Sequence, residues 1–152
     1  NLLFWSFVFF AVERYSAGQK SNESDISEMT LGKVLFIGFA QAIALLPGTS
    51  RSGITIAGGM LVNLSPTSAA RFSFLLGAPI ILAAGAHKTL HFLSSPENSV
   101  HLSGLQLGVG LFVSFIVGYF AIKLLLGIVS RLGLTPFICY RILLATYILI
   151  TF

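Results

Sequence analysis

Long uncharged apolar runs dominate this chain, and they decide its solvent. Between Gly104 and Val129 the only charged side chain is Lys123. A helix over that stretch would be roughly 40 Å long, enough to cross a hydrocarbon core roughly 30 Å thick. Apolar residues make up 55% of the sequence and charged residues 9%, whereas soluble domains carry about a quarter charged residues. Lipid is the expected surrounding, so membrane spans have to be counted in place of one aqueous core.

Asn1 to Val12 is apolar but only about half a crossing long. The chain opens Asn1-Leu2-Leu3-Phe4-Trp5, with no initiator Met and neither the basic region nor the cleavage site of a signal peptide. The expectation is the tail of a cut helix, with an N-terminal part missing. Glu13 to Thr30 carries Arg14, Lys20, Glu23, Asp25 and Glu28 among Ser, Gly and Asn, which reads as an aqueous linker. Residues 1–30 are thus expected to be a helix end and a cytoplasmic linker, and residues 31–152 the repeat itself.

Leu31 to Leu46 is apolar again, yet at roughly 24 Å it falls short of a crossing. Pro47-Gly48 stops it, the polar Thr49-Ser50-Arg51-Ser52-Gly53 follows, and Ile54 to Leu64 resumes as a second short apolar helix. Two half-length helices around a polar break over 31–64 predict a re-entrant hairpin, which membranes tolerate only where the bare backbone is covered by protein or lines a wet cavity. Ser65-Pro66 places an N-cap before a proline at the first helical position. Transmembrane helices are expected at about 67–92, 104–129 and 135–152, with a polar loop at Ser94 to Ser103 and a tight turn at Ser130 to Thr135. Gly104, Gly108 and Gly118 offer close-packing faces, a weak signal in such helices.

The expected fold class is an all-α integral membrane protein with a re-entrant helical hairpin plus three transmembrane helices. Three crossings are an odd number, so a preceding copy of the unit would lie upside down, and this chain would be one half of an inverted repeat. Tracing sides puts Arg14, Lys20, Lys33, Arg71 and Arg131 on one face and little beyond Lys88 on the other. The positive-inside rule makes the first face cytoplasmic and brings the break at Pro47 to Gly53 nearer the outer side of a bacterial inner membrane. The cations are scattered, which argues against a nucleic-acid surface. Cys139 sits in an apolar run and is expected to be a small buried hydrophobe.

An arginine in mid-membrane costs about 2.5 to 3.5 kcal/mol on insertion scales, so Arg51 needs a reason. Gly48, Ser50, Ser52, Gly53 and Thr55 put hydroxyl donors and unpaired amides at a helix start, whose positive dipole end faces the same point as the guanidinium. That combination is an anion site. Arg51 can fork onto two phosphate oxygens, Ser50 and Thr55 can each donate a hydrogen bond, Gly48 and Gly53 let backbone approach closely, and Thr49 and Ser52 complete the expected binding set with Gln41. The bland alternative is that Arg51 snorkels to an interface and the small residues serve packing. A Walker loop would need Lys at Ile54, and the acid-phosphatase signature would need His at Ala57.

Pro47-Gly48-Thr49-Ser50-Arg51-Ser52-Gly53-Ile54-Thr55 resembles the PGxSRSxxT signature of the undecaprenyl pyrophosphate phosphatase family, also known as bacitracin-resistance proteins. The similarity extends to Gln41-Ala42-Ile43-Ala44-Leu45, Gly58-Gly59-Met60-Leu61, Phe72 to Leu76 and Pro136-Phe137 to Tyr140-Arg141, covering the family's C-terminal repeat. The resemblance implies hydrolysis of a C55 lipid pyrophosphate to monophosphate and phosphate on the outer face, recycling the carrier of cell-wall synthesis. It makes Arg51, with Ser50 and Thr55 beside it, the pyrophosphate clamp. The family's Glu-rich ExxxE stretch with its Ser and His belongs to the other repeat, so ligands for a divalent cation, Mg or Ca, and the base are expected mainly from outside this chain, which alone would be inactive. All five acidic residues are expected in the two polar loops.

Partners implied are a polyprenyl pyrophosphate and the bilayer; oligomeric state is open, a homodimer included. His87 and His91, four apart, lack a third metal ligand and are set aside. Arg71 reads as an interface anchor, Trp5 as a lipid-facing or packing group, and Gln41 as either a partner of the broken backbone or a lining residue. The strongest rival function is a transporter or flippase of an anionic lipid, because opposed hairpins serve transport as readily as hydrolysis. A degenerate, non-catalytic fragment is the third reading.

Overall fold

Helix α1 (Leu2–Ala17) buries Trp5, Phe9, Val12 and Ser16, a single stripe at helical spacing. The computed structural model, which describes residues 1–18, 24–94 and 104–151, sets that stripe against helix α6 (Thr135–Thr151) and helix α3 (Arg51–Leu61). On α6 the buried residues are Ile138 and Ala145, two turns apart on one face. Cys139, next to Ile138, falls off that face and is exposed, correcting the expectation of a buried thiol.

The first helix does not end at Val12. It runs on through Glu13 to Ala17, because Glu, Arg and Ala all propagate helix readily and because Glu13 has work there. One of its carboxylate oxygens accepts from Leu134 N at 2.7 Å and Thr135 N at 3.2 Å, and the other accepts from Thr135 Oγ1 at 3.1 Å. A carboxylate from α1 therefore caps α6, satisfying amides that helix geometry leaves open and favouring the positive dipole end. So Glu13 is helical, and the carboxylates are not all in loops. Glu13→Ala is expected to lower stability by about 1 to 3 kcal/mol, read as a fall in thermal unfolding temperature in detergent, with Glu13→Gln losing less because it keeps an acceptor.

Helix α2 (Leu31–Ala42) tightens into a 3₁₀ turn at Ile43–Leu45. It packs on α3, where Gly58 lies against Ile37 and Ala40. Helix α4 (Pro66–Ser94) opens with the expected cap: Ser65 Oγ accepts from Ser68 N at 3.2 Å. It meets α3 so closely that a Cβ on Gly59 would stand 2.8 Å from the Ala69 Cβ. Helix α5 (Gly104–Leu132) runs three residues past its expected end, and Gly133, with φ +64°, turns the chain into α6.

The linker is not detached. Ser24 N donates to Asn63 O at 2.8 Å and Ser65 N to Ser24 O at 3.3 Å. Asp25 Oδ1 accepts from Ser68 Oγ and from Ile26 N, both at 2.7 Å. Those two bonds, the Ser68 one foremost, hold the Asp25 carboxyl below its usual value. A depressed carboxyl stabilises the fold at neutral pH, and that contribution is lost as pH falls through the acidic range where Asp25 protonates. Lys20 and Glu23 of the linker lie outside the described residues, as does the polar loop expected at Ser94 to Ser103 apart from Ser94, which ends α4.

The chain packs as two compact units, Asn1–Phe74 with Leu126–Phe152, and Leu75–Leu125. The second consists of the later part of α4 and the earlier part of α5. Leu82, Leu90, Leu105 and Phe115 are among its exposed apolar side chains. Only 6% of the apolar window of α5 is buried, an amount of bare apolar surface that water does not tolerate and lipid does.

Candidate anion-binding site

Everything at the break belongs to the first unit. Leu46-Pro47-Gly48-Thr49 closes with Thr49 N donating to Leu46 O at 3.2 Å, and Gly48 has φ +84°. Proline second and a left-handed glycine third are the residues a type II turn requires. Both central carbonyls are taken up: Pro47 O accepts from Asn1 Nδ2 at 3.0 Å and Gly48 O from Arg141 Nη2 at 2.9 Å. The interruption between two apolar helices thereby covers its own backbone acceptors.

Helix α3 begins at Arg51, three residues before the apolar run, so Arg51 is its first residue and not part of the break. The cause is Ser50, the N-cap, whose Oγ accepts from Gly53 N at 3.2 Å. Capping spends an acceptor lone pair and leaves the Ser50 hydroxyl proton free to donate. Ser52 Oγ lies 3.4 Å from Ser50 Oγ. The amides of Arg51 and Ser52 are among the first-turn groups that helix geometry leaves without an intrahelical acceptor. Thr49 Oγ1 is buried and has no hydrogen-bond partner among the described residues.

The Arg51 guanidinium is half-buried, and the partner given to it is neutral: Nε and Nη2 both point at Gln41 Oε1 at 3.4 Å. Such long bonds to an amide orient the fork without neutralising it. Gln41 therefore serves the arginine and not the broken backbone.

Thr55 is placed differently from the other motif residues. It is 1% exposed, and its Oγ1 donates to the Arg51 and Ser52 carbonyls at 2.9 and 3.1 Å. With its one proton so used, it accepts from Ser73 Oγ of α4 at 2.6 Å. Thr55 thus ties the first turn of α3 to α4. Ser73→Ala is expected to cost about 1 kcal/mol of stability, measured by thermal unfolding in detergent. Ser73 carried no signal of its own in the sequence beyond lying in the Phe72 to Leu76 segment.

Gly48, Thr49, Ser50, Arg51, Ser52, Gly53 and Gln41 come together; Thr55 supports them from behind. Arg141 was missed, although the reasoning applied to Arg51, a cation inside an apolar run, flags it equally. Among the described residues no three His, Cys, Asp or Glu side chains cluster, and His87 and His91 are exposed. The described residues do not by themselves fit a divalent cation. A cleft of about 720 Å³ opens near the other end of α3, lined by Glu13, Met60, Ser65 and Arg131 among others, and includes no residue of the break.

A protein family described as bacitracin resistance protein BacA matches residues 1–147. The chain belongs to this family. Among its relatives, the undecaprenyl-diphosphatase of Chromohalobacter salexigens is 44% identical over 86% of this chain and 48% of the relative. That of Campylobacter concisus is 38% identical over 95% of the chain and 54% of the relative, and that of Aliivibrio salmonicida is 46% identical over 82% and 46%. The chain spans about half the length of the curated relatives it matches. BacA family membership and the bare apolar faces of α4 and α5 make this a membrane protein.

Proposed function

We propose that the break and the start of α3 recognise the pyrophosphate of a polyprenyl lipid, and that a protein carrying this segment hydrolyses undecaprenyl pyrophosphate to undecaprenyl phosphate and phosphate, recycling the cell-wall lipid carrier. The observation that carries this is the Arg51 guanidinium, given among the described residues a neutral partner, Gln41, and standing on the first turn of α3 beside the Ser50 and Ser52 hydroxyls. Family membership and the activity for which the relatives are named support it. α2, the turn and α3 form a re-entrant hairpin whose tip faces the outer side of the inner membrane, and the segment is one half of an inverted repeat.

In phosphoryl transfer this half binds and orients. The guanidinium and the α3 amides stabilise charge on the phosphoryl oxygens as the bridging bond breaks. Ser50 donates a hydrogen bond; none of its described hydrogen-bond partners is a His or carboxylate that would activate it as a nucleophile. Thr55 keeps the first turn of α3 in place. Nucleophile, general base and the carboxylate ligands of a divalent cation come from outside this segment, which by itself turns over little.

The test is release of inorganic phosphate from C55 pyrophosphate by a purified protein of the relatives' full length that carries this segment. Hydrolysis with no exposure change at cysteines flanking Ser50 is the expected result. Alternating labelling of those positions without phosphate release would instead make this half of an anionic-lipid transporter.

A further inference from the structure

Arg141 is the only charged residue between Pro136 and Phe152, and a cation inside an apolar span is retained only where it has a task. It stands on the inward stripe of α6 between Ile138 and Ala145. Its Nη2 donates to Gly48 O at 2.9 Å, and its Cζ lies 5.4 Å from the centre of the Phe9 ring. Its Nε is buried with no hydrogen-bond partner among the described residues. The same ring covers Gly53, where a Cβ would come within 2.7 Å of it. Arg141 and Phe9 therefore hold the break from both sides of Ser50: one grips the turn before it, the other lies on the first turn of α3 after it.

We propose that Arg141 is a positioning residue for the anion cradle, fixing the Gly48 carbonyl so that Ser50 and the start of α3 are held in their receiving geometry, without touching the substrate itself. This rests on the reading of the break as the pyrophosphate site. The peptide between Gly48 and Thr49 is pinned at both ends, its oxygen by Arg141 and its amide by Leu46 O. Releasing the oxygen lets a turn that needs a left-handed residue relax, and the cap two residues on moves with it. One Nη2 proton is committed to Gly48 O and Nε is buried without a partner among the described residues, so the bond that ties Arg141 to the site runs through the turn. Lysine supplies a single N–H to that carbonyl but neither the planar stacking on Phe9 nor the fixed fork, so it substitutes only in part.

The experiment is a double-mutant cycle on kcat/KM for phosphate release, in protein of the relatives' full length carrying this segment, normalised to folded protein. Arg141→Gln is expected to lower kcat/KM by about ten- to a hundredfold, and Arg141→Lys to recover part of it. In an Arg51→Ala background the same Arg141→Gln change is expected to cost less than about threefold, since a residue that acts through the cradle has little left to position. A loss under about threefold from Arg141→Gln alone, or losses that multiply fully with Arg51→Ala, overturns the proposal; the second result makes Arg141 an independent substrate contact. A purely structural role would lower the yield of folded protein without coupling to Arg51. If Arg141→Gln fails to accumulate, the same cycle with Arg141→Lys decides on the same criterion. No loss from Arg51→Ala itself sinks the pyrophosphate reading, and the positioning role with it.

Discussion

Arg51→Lys in protein of the relatives' full length is expected to lower phosphate release by about a hundredfold, and Arg51→Ala by more, as for removal of a preorganised charge-stabilising donor. The two variants separate charge from geometry. Lysine keeps the positive charge at the start of α3, so if net charge near the headgroup were all that mattered, Arg51→Lys would stay close to parent. The loss is expected because the planar fork, already aimed by two bonds to one Gln41 oxygen, meets two phosphoryl oxygens at once and an ammonium does not. Ser50→Ala should cost less, about two- to tenfold, since it removes one neutral donor and leaves the amides in place. The effect should fall mainly on kcat, the fork being tighter on the charge that develops as the bridging oxygen leaves. Near-parental turnover of Arg51→Lys would remove the basis for calling this an anion cradle.

The break itself was legible because turn chemistry is local. Pro47-Gly48 stops an apolar helix by residue type alone, and an arginine beside it in an apolar chain needs a reason. Helix ends were less so. A reading by hydropathy starts α3 at Ile54, where the apolar residues resume, whereas the helix starts at Arg51, directly after the Ser50 cap. In the same way the polar residues after Val12 looked like a linker, although polarity does not stop a helix that has a use for its side chains. That use was invisible. Glu13 meets α6 more than a hundred residues away, and Arg141 meets Gly48 across a separation of 93. Single long-range hydrogen bonds leave no period in the sequence, so only the cost of burying a charge could point to them. Thr55 shows the same limit: its bond to Ser73 joins the motif to a residue outside it on another helix, which nothing in the motif announces.

Gly59→Ala is expected to destabilise the protein by about 1 to 3 kcal/mol, seen as a lower unfolding temperature in detergent, although the change improves helix propensity. The new Cβ would stand 2.8 Å from the Ala69 Cβ and 3.2 Å from its Cα. Alanine has no rotamer with which to retreat, so α3 and α4 must part. Thr55 and Ser73 lie one turn along the same two faces, four residues before Gly59 and four after Ala69. Parting the helices therefore stretches the 2.6 Å hydroxyl pair and loosens the first turn of α3, where Arg51 sits. Activity per folded molecule should fall along with stability, which an overpacked site elsewhere in the chain would not produce. Exchanging the two residues tests the cause. Gly59→Ala combined with Ala69→Gly moves the missing methyl from one helix to the other at no net change in propensity, and should restore most of both losses. A single Gly59→Ala variant as stable and active as its parent would mean that the two helices do not approach this closely at all.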